Sequence, residues 1–174
     1  MSPKRDRLIG AAALLALTFL IASLAVLSAR HHDSDTLTTA LQQLTQAAQA
    51  TPPARRAHLD LAQAAFAHAA GTYAVDPLAL IGLSLVEPLA VHAGEPVPPQ
   101  PAQPLSDAQI EAYVRALLAR AKSREALAFL TGAAKVRALS PGPSALLRFA
   151  ARWEAVRTTT SSSSSSQPAA GGGG

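Results

Sequence analysis

Hydrophobic positions recur along the chain at helical spacing, in segments separated by proline and glycine. The first apolar run, Leu8 to Ala29, carries no charge over 22 residues and is flanked by Lys4-Arg5-Asp6-Arg7 and Arg30-His31-His32. It is long enough to cross a bilayer as a helix, which takes about 20 residues. Cleavage after Ser23-Leu24-Ala25 or Leu27-Ser28-Ala29 is the rival reading, but the run exceeds the ~7–15-residue apolar core of a signal peptide. We therefore read residues 1–30 as an uncleaved signal anchor. Leu37, Leu41, Leu44 and Ala48 then repeat at 4-3-4 spacing. Under two heptads is too short for a coiled coil, so residues 31–51 are expected to form a stalk helix leaning on the domain or on a membrane partner.

Thr51-Pro52-Pro53 restarts the chain and opens a domain expected over residues 52–157. Leu59, Ala62, Phe66, Ala69 and Tyr73 follow a helical stripe, and Gly71 supplies a C-terminal stop. His58 and His68, ten residues apart, do not share a face and read as surface histidines. The next segment, Tyr73 to Glu87, holds the strongest core signal outside the anchor. Asp76 can cap a helix that Pro77 starts. From Leu78 to Val86 only Gly82 and Ser84 are not apolar, which predicts a buried helix ending at Glu87, since a residue before proline is pushed out of the helical region.

Six prolines between Pro88 and Pro104 predict an extended, semi-rigid loop, of a length that often serves a function. Ser106 and Gln109 form a capping box. The helix they open places Ile110, Tyr113, Val114, Leu117, Leu118 and Ala121 on one side, and Ala126, Leu127, Leu130 and Ala134 continue the stripe beyond a break or second cap at Ser123. Ser140-Pro-Gly-Pro-Ser144 interrupts the chain again. Leu146, Phe149, Ala150, Trp153 and Val156 then define an amphipathic helix, with Trp153 as a core anchor. The Ser/Gly segment over residues 158–174 reads as a disordered tail.

Composition sharpens this to an all-α fold: alanine dominates and β-branched residues are few. The absence of cysteine excludes disulfides, a thiolate nucleophile and a cysteine-based zinc site. His31-His32-Asp33-Ser34-Asp35 reads as a juxtamembrane collar, because adjacent residues point to different sides of a helix and no other ligand pair has useful spacing. No metal and no cofactor are implied. The net charge of +4 is uneven: +3 over residues 1–30, −5 over 31–107 and +6 over 108–157. A basic C-terminal half suits an anionic partner such as lipid headgroups or cell-wall polymer, or merely solvates alanine-rich helices. The Lys/Arg bias puts the N-terminus in the cytoplasm and the domain across the inner membrane, in the periplasm. Nucleic acid is not an expected partner: the basic half would have to face the cytoplasm, and aromatics for stacking are scarce.

Tyr73-Ala-Val-Asp-Pro77, with Glu87 eleven residues after Asp76, resembles the start of the lytic transglycosylase domain, a lysozyme-like fold that cleaves peptidoglycan. Pro88-Leu-Ala-Val-His92, the proline-rich segment and the helix from Ser106 are similar in order to the small transglycosylases of conjugation and type IV secretion systems. The resemblance implies a small lysozyme-like domain with Glu87 as a single catalytic acid/base, protonating the glycosidic oxygen while the sugar's acetamido group assists. An apolar setting at a helix C-terminus would favour its protonated form. Pro88 stands where the family has serine, and Phe129-Leu-Thr-Gly-Ala-Ala134 occupies the place of an amide-bearing groove segment. The implied alternatives are thus an active transglycosylase or an inactive relative. Apart from the resemblance, the residues fit a non-enzymatic single-pass accessory subunit that docks on other membrane proteins.

Overall fold

The computed structural model describes residues 35–71, 76–102 and 105–164. The expected anchor, Leu8 to Ala29, lies outside them, as do Tyr73 and the tail beyond Ser164. Among the described residues no helix is long and apolar enough to cross a membrane, and all regular structure is helical. In order these are α1 (residues 35–49), α2 (Pro52–Ala70), α3 (Pro77–His92), α4 (Asp107–Ala119), α5 (Ser123–Val136) and α6 (Pro141–Ser164). Contacts separate Met1–Asp35 from a compact unit, Thr36–Gly174.

Most helix starts follow from local sequence. Asp76 accepts from the Leu78 amide at 2.8 Å with Pro77 in the first turn, and the Ser106–Gln109 capping box closes in both directions. α6 begins inside the Ser140–Ser144 break, at Pro141, because prolines fit a first turn whose amides would be unpaired anyway. Between α4 and α5 the chain turns through Ala121 at φ 59°, and the Ala121 and Lys122 amides donate back to Leu118 and Leu117. This is a Schellman stop with alanine where glycine is usual.

The expected stalk is part of the core. Leu37, Ala40, Leu41, Leu44 and Ala47 are fully buried in the same cluster as the apolar stripes of α2 to α6. Arg55 on α2 donates to the Ala47 and Ala50 carbonyls, and His58 Nδ1 meets Gln43 Oε1 at 2.8 Å. On the other side, Trp153 Nε1 donates to the buried Thr45 hydroxyl at 3.1 Å, which itself donates to the Leu41 carbonyl at 2.9 Å. The indole's polar atom is satisfied inside the core.

An aromatic column crosses this core. Phe66 on α2 lies 6.4 Å from Phe149 on α6, and Phe149 packs edge-to-face on Trp153 at 6.0 Å. Below it, Gly82 of α3 carries the Phe66 ring directly on its backbone; a Cβ there would collide with it. The one glycine in the oily run of α3 is thus the seat of a ring, and among α2 to α6 the pair α2 and α3 is the most extensively packed.

Three expectations are corrected. α3 does not stop at Glu87 but runs to His92 with Pro88 inside it. An internal proline costs about 3 kcal/mol, and full burial of Leu89, worth roughly 1.5–3 kcal/mol, offsets most of that. The helix is not buried all round either, since Leu80 and Ser84 face outward. Finally, α6 continues through the Thr/Ser run to Ser164. There the hydroxyls of Thr158, Thr159, Thr160, Ser161 and Ser162 donate to carbonyls three or four residues back, the back-bonding that serine and threonine adopt inside a helix.

Replacing Gly82 by alanine would ordinarily gain up to about 1 kcal/mol of helix propensity. Displacement of the Phe66 ring makes Gly82→Ala destabilising instead, by about 1–2 kcal/mol. Gly132→Ala on α5, where an added Cβ meets nothing, should stabilise by about 0.5–1 kcal/mol. Urea unfolding of the two variants checks the contrast in sign.

Candidate binding clefts

Among the described residues, two clefts between the helices draw on α4, α5 or the turn that joins them. The larger, about 700 Å3, lies between α4, α5 and the proline-rich segment. Tyr113 and Phe129 form its floor, edge-to-face at 4.8 Å. Gly132 and Ala133 of α5 continue one wall, and Val97 and Gln100 supply part of the other. Val136, 83% exposed, stands at the rim. An Arg137–Asp107 ion pair ties the end of α5 to the start of α4. Within this cleft the carboxylate is Glu125.

The expected acid stands elsewhere. Glu87 is on the α3 surface, its side chain 66% exposed, and Arg56 Nη1 donates to both of its oxygens at 3.0 and 3.3 Å. Arg56 also meets Asp60 Oδ1 at 3.0 Å. The hydrogen bond to Glu87, then the charges of Glu87 and Asp60, hold the Arg56 guanidinium above its ordinary value. Neither cleft is lined by Glu87. The apolar setting and helix terminus expected for it are absent, because α3 carries on for another turn. Nearby, Arg115 donates to Ser84 Oγ at 3.0 Å, extending a polar strip along α3.

One guanidinium anchors the proline-rich segment. Arg120 donates from Nε to the Pro96 carbonyl at 3.1 Å, from Nη1 to the Ala116 carbonyl at 2.9 Å, and meets Glu95 with Nη2 at 3.0 Å. Glu95 also meets His92 Nδ1 at 3.0 Å. The signal for this anchor in the sequence is an arginine at the C-terminus of a helix that follows a proline-rich segment.

The smaller cleft, about 210 Å3, is lined by Arg120, Lys122 and Arg157 together with Thr45, Gln49 and Trp153 among others. Its wall includes a tight network. Arg157 donates to Glu154 through Nε (3.0 Å) and Nη2 (2.6 Å), and the buried Ser123 hydroxyl donates to Glu154 Oε2 at 2.9 Å. Ser123 therefore joins α5 to α6 rather than capping α5. Burial pushes the Glu154 carboxyl up, but the hydrogen bonds from Arg157 and Ser123 and the charges of Arg157 and Arg124 outweigh it and hold it below its usual range.

Comparison with known proteins returns no matching family model, no matching curated protein and no matching solved structure.

A depressed carboxyl value stabilises the fold above the unfolded value of about 4.3, and that contribution is lost as pH falls through the folded one. Glu154→Gln should therefore cost roughly 1–3 kcal/mol at pH 7, and the gap from wild type should close as pH drops below about 4. Denaturant unfolding at pH 7 and pH 3 checks this; a gap independent of pH would assign the effect to packing.

Proposed function

We propose that this chain is a non-enzymatic, single-pass subunit of the inner membrane. In this reading Leu8 to Ala29 anchor it, the N-terminus is cytoplasmic, and the helical domain works in the periplasm by contact with other membrane proteins. The observation that carries the reading is the position of Glu87. A general acid needs a carboxyl group kept protonated beside its substrate, by burial or by a like charge. Glu87 is exposed, paired with the Arg56 guanidinium, and outside both clefts. The larger cleft instead offers what a protein contact uses: an aromatic floor, exposed valines at its edge and a rim of opposite charges.

A second reading is a peptidoglycan lytic transglycosylase, or an inactive relative. The observation in its favour is that Phe129, Gly132 and Ala133, together with the proline-rich segment, line a cleft of about 700 Å3, a size suited to a small-molecule or sugar ligand. Any acid acting there would be Glu125 rather than Glu87.

Zymography on purified peptidoglycan separates the two. Wild type, Glu87→Gln and Glu125→Gln are all expected to leave the substrate intact. Clearing by wild type that either variant abolishes would overturn the non-enzymatic reading. A C-terminal reporter active only in the periplasm is expected to be active, and an inactive one would reverse the topology.

A further inference from the structure

The C-terminal half carries nine Lys and Arg against three acids over residues 108–157, and the proposed function leaves that surplus unused. Part of it converges on the smaller cleft, where the end of α1, the α4–α5 turn and α6 meet. Three cations from these elements, Arg120, Lys122 and Arg157, line the space, and no carboxylate does.

The cations differ in what they have left to give. Arg120 spends one N–H of each of its three nitrogens, on Pro96, Ala116 and Glu95. Arg157 uses Nε and Nη2 on Glu154, leaving Nη1. Lys122 makes no ion pair among the described residues. Glu95 and Glu154 thus neutralise and fix the two arginines, and the Lys122 charge remains over.

Several acceptors next to the cleft are already taken. The Ala47 and Ala50 carbonyls at the end of α1 accept from Arg55, and those of Leu117 and Leu118 accept the amides of the turn. Trp153 donates to Thr45, and Thr45 to Leu41. Donor capacity remains at the Lys122 ammonium, Arg157 Nη1 and the Gln49 amide nitrogen. The first turn of α5, which starts beside Lys122, has no side-chain cap, so its amides add partial positive charge to the same rim.

We propose that this cleft binds a phosphate-class oxyanion, either free phosphate or the phosphate of a lipid headgroup. Surplus positive charge, spare donors and an absence of competing carboxylates on the lining are the conditions for such a ligand. The volume of about 210 Å3 is below the ~300–1,000 Å3 of pockets that enclose drug-sized ligands, so the ligand is small or enters by its head alone. Arg120 and Glu95 position the wall, Arg157 is oriented by Glu154, and Lys122 supplies the unbalanced charge. The inference goes beyond the proposed function and does not require the larger assembly.

The test uses the full chain in nonionic detergent, with thermal unfolding followed by circular dichroism. One arm adds sodium phosphate against sodium chloride at equal ionic strength. The other adds dihexanoyl phosphatidylglycerol against dihexanoyl phosphatidylcholine. A midpoint that rises with phosphate assigns the site to free oxyanion; a rise with the phosphatidylglycerol probe alone assigns it to a headgroup. In either case Lys122→Gln should raise the half-saturating concentration at least tenfold and Gln49→Ala severalfold, while Arg56→Gln, outside the cleft, should leave it unchanged. No response to either probe, or a response undiminished in both cleft variants, overturns the proposal.

Discussion

The ring of Phe66 resting on the bare backbone of Gly82 is the contact on which the arrangement of the helices depends. Alanine-rich helices approach one another closely but offer little to fix their register. Here one gap in α3 accepts one ring from α2, that ring meets Phe149, and Phe149 meets Trp153. The Trp153–Thr45 hydrogen bond carries the same line into α1. Four helices are thereby set by three aromatic side chains. Truncating a buried Phe or Trp to alanine costs about 3–5 kcal/mol, against a total of about 5–15 kcal/mol for an ordinary domain, so each ring holds a large share of the margin.

Much of this was legible because it is local. The Asp76-Pro77 start, the Ser106 box and the stripes on α2 and α6 depend on residues within one or two turns, and physical rules at that range are strong. What the sequence hid was long-range. Nothing near Pro88 announces that Leu89 will be buried deeply enough to carry the helix past it. The tail helix continues to Ser164 through a composition that normally marks disorder. The 37–48 seam looked narrow because one of its partners, Trp153 on α6, is distant in the chain.

The functional clefts follow the same division. Glu87 stood out by its spacing, yet its environment is set by Arg56, thirty-one residues away and invisible to any motif. The larger cleft was half legible: the proline-rich segment has a length that often serves a function, and it lines the cleft through Val97 and Gln100, but the carboxylate there is Glu125. The smaller cleft appeared in the sequence only as excess charge. Its geometry needed the Ala121 turn, which brings Lys122 between α1 and α6.

Arg120 has a consequence best put in the language of polymers. The connection between α3 and α4 is long, and a free chain of that length would surrender considerable entropy on closing. By gripping Glu95 and Pro96 near its start, the guanidinium acts as a non-covalent crosslink that divides this connection into a short tether and a longer remaining span. The prolines beyond the grip have already removed much of the freedom that the unfolded strand would otherwise lose. The segment over the aromatic floor is therefore held by arithmetic of configurations more than by contacts of its own, with one side chain as its knot.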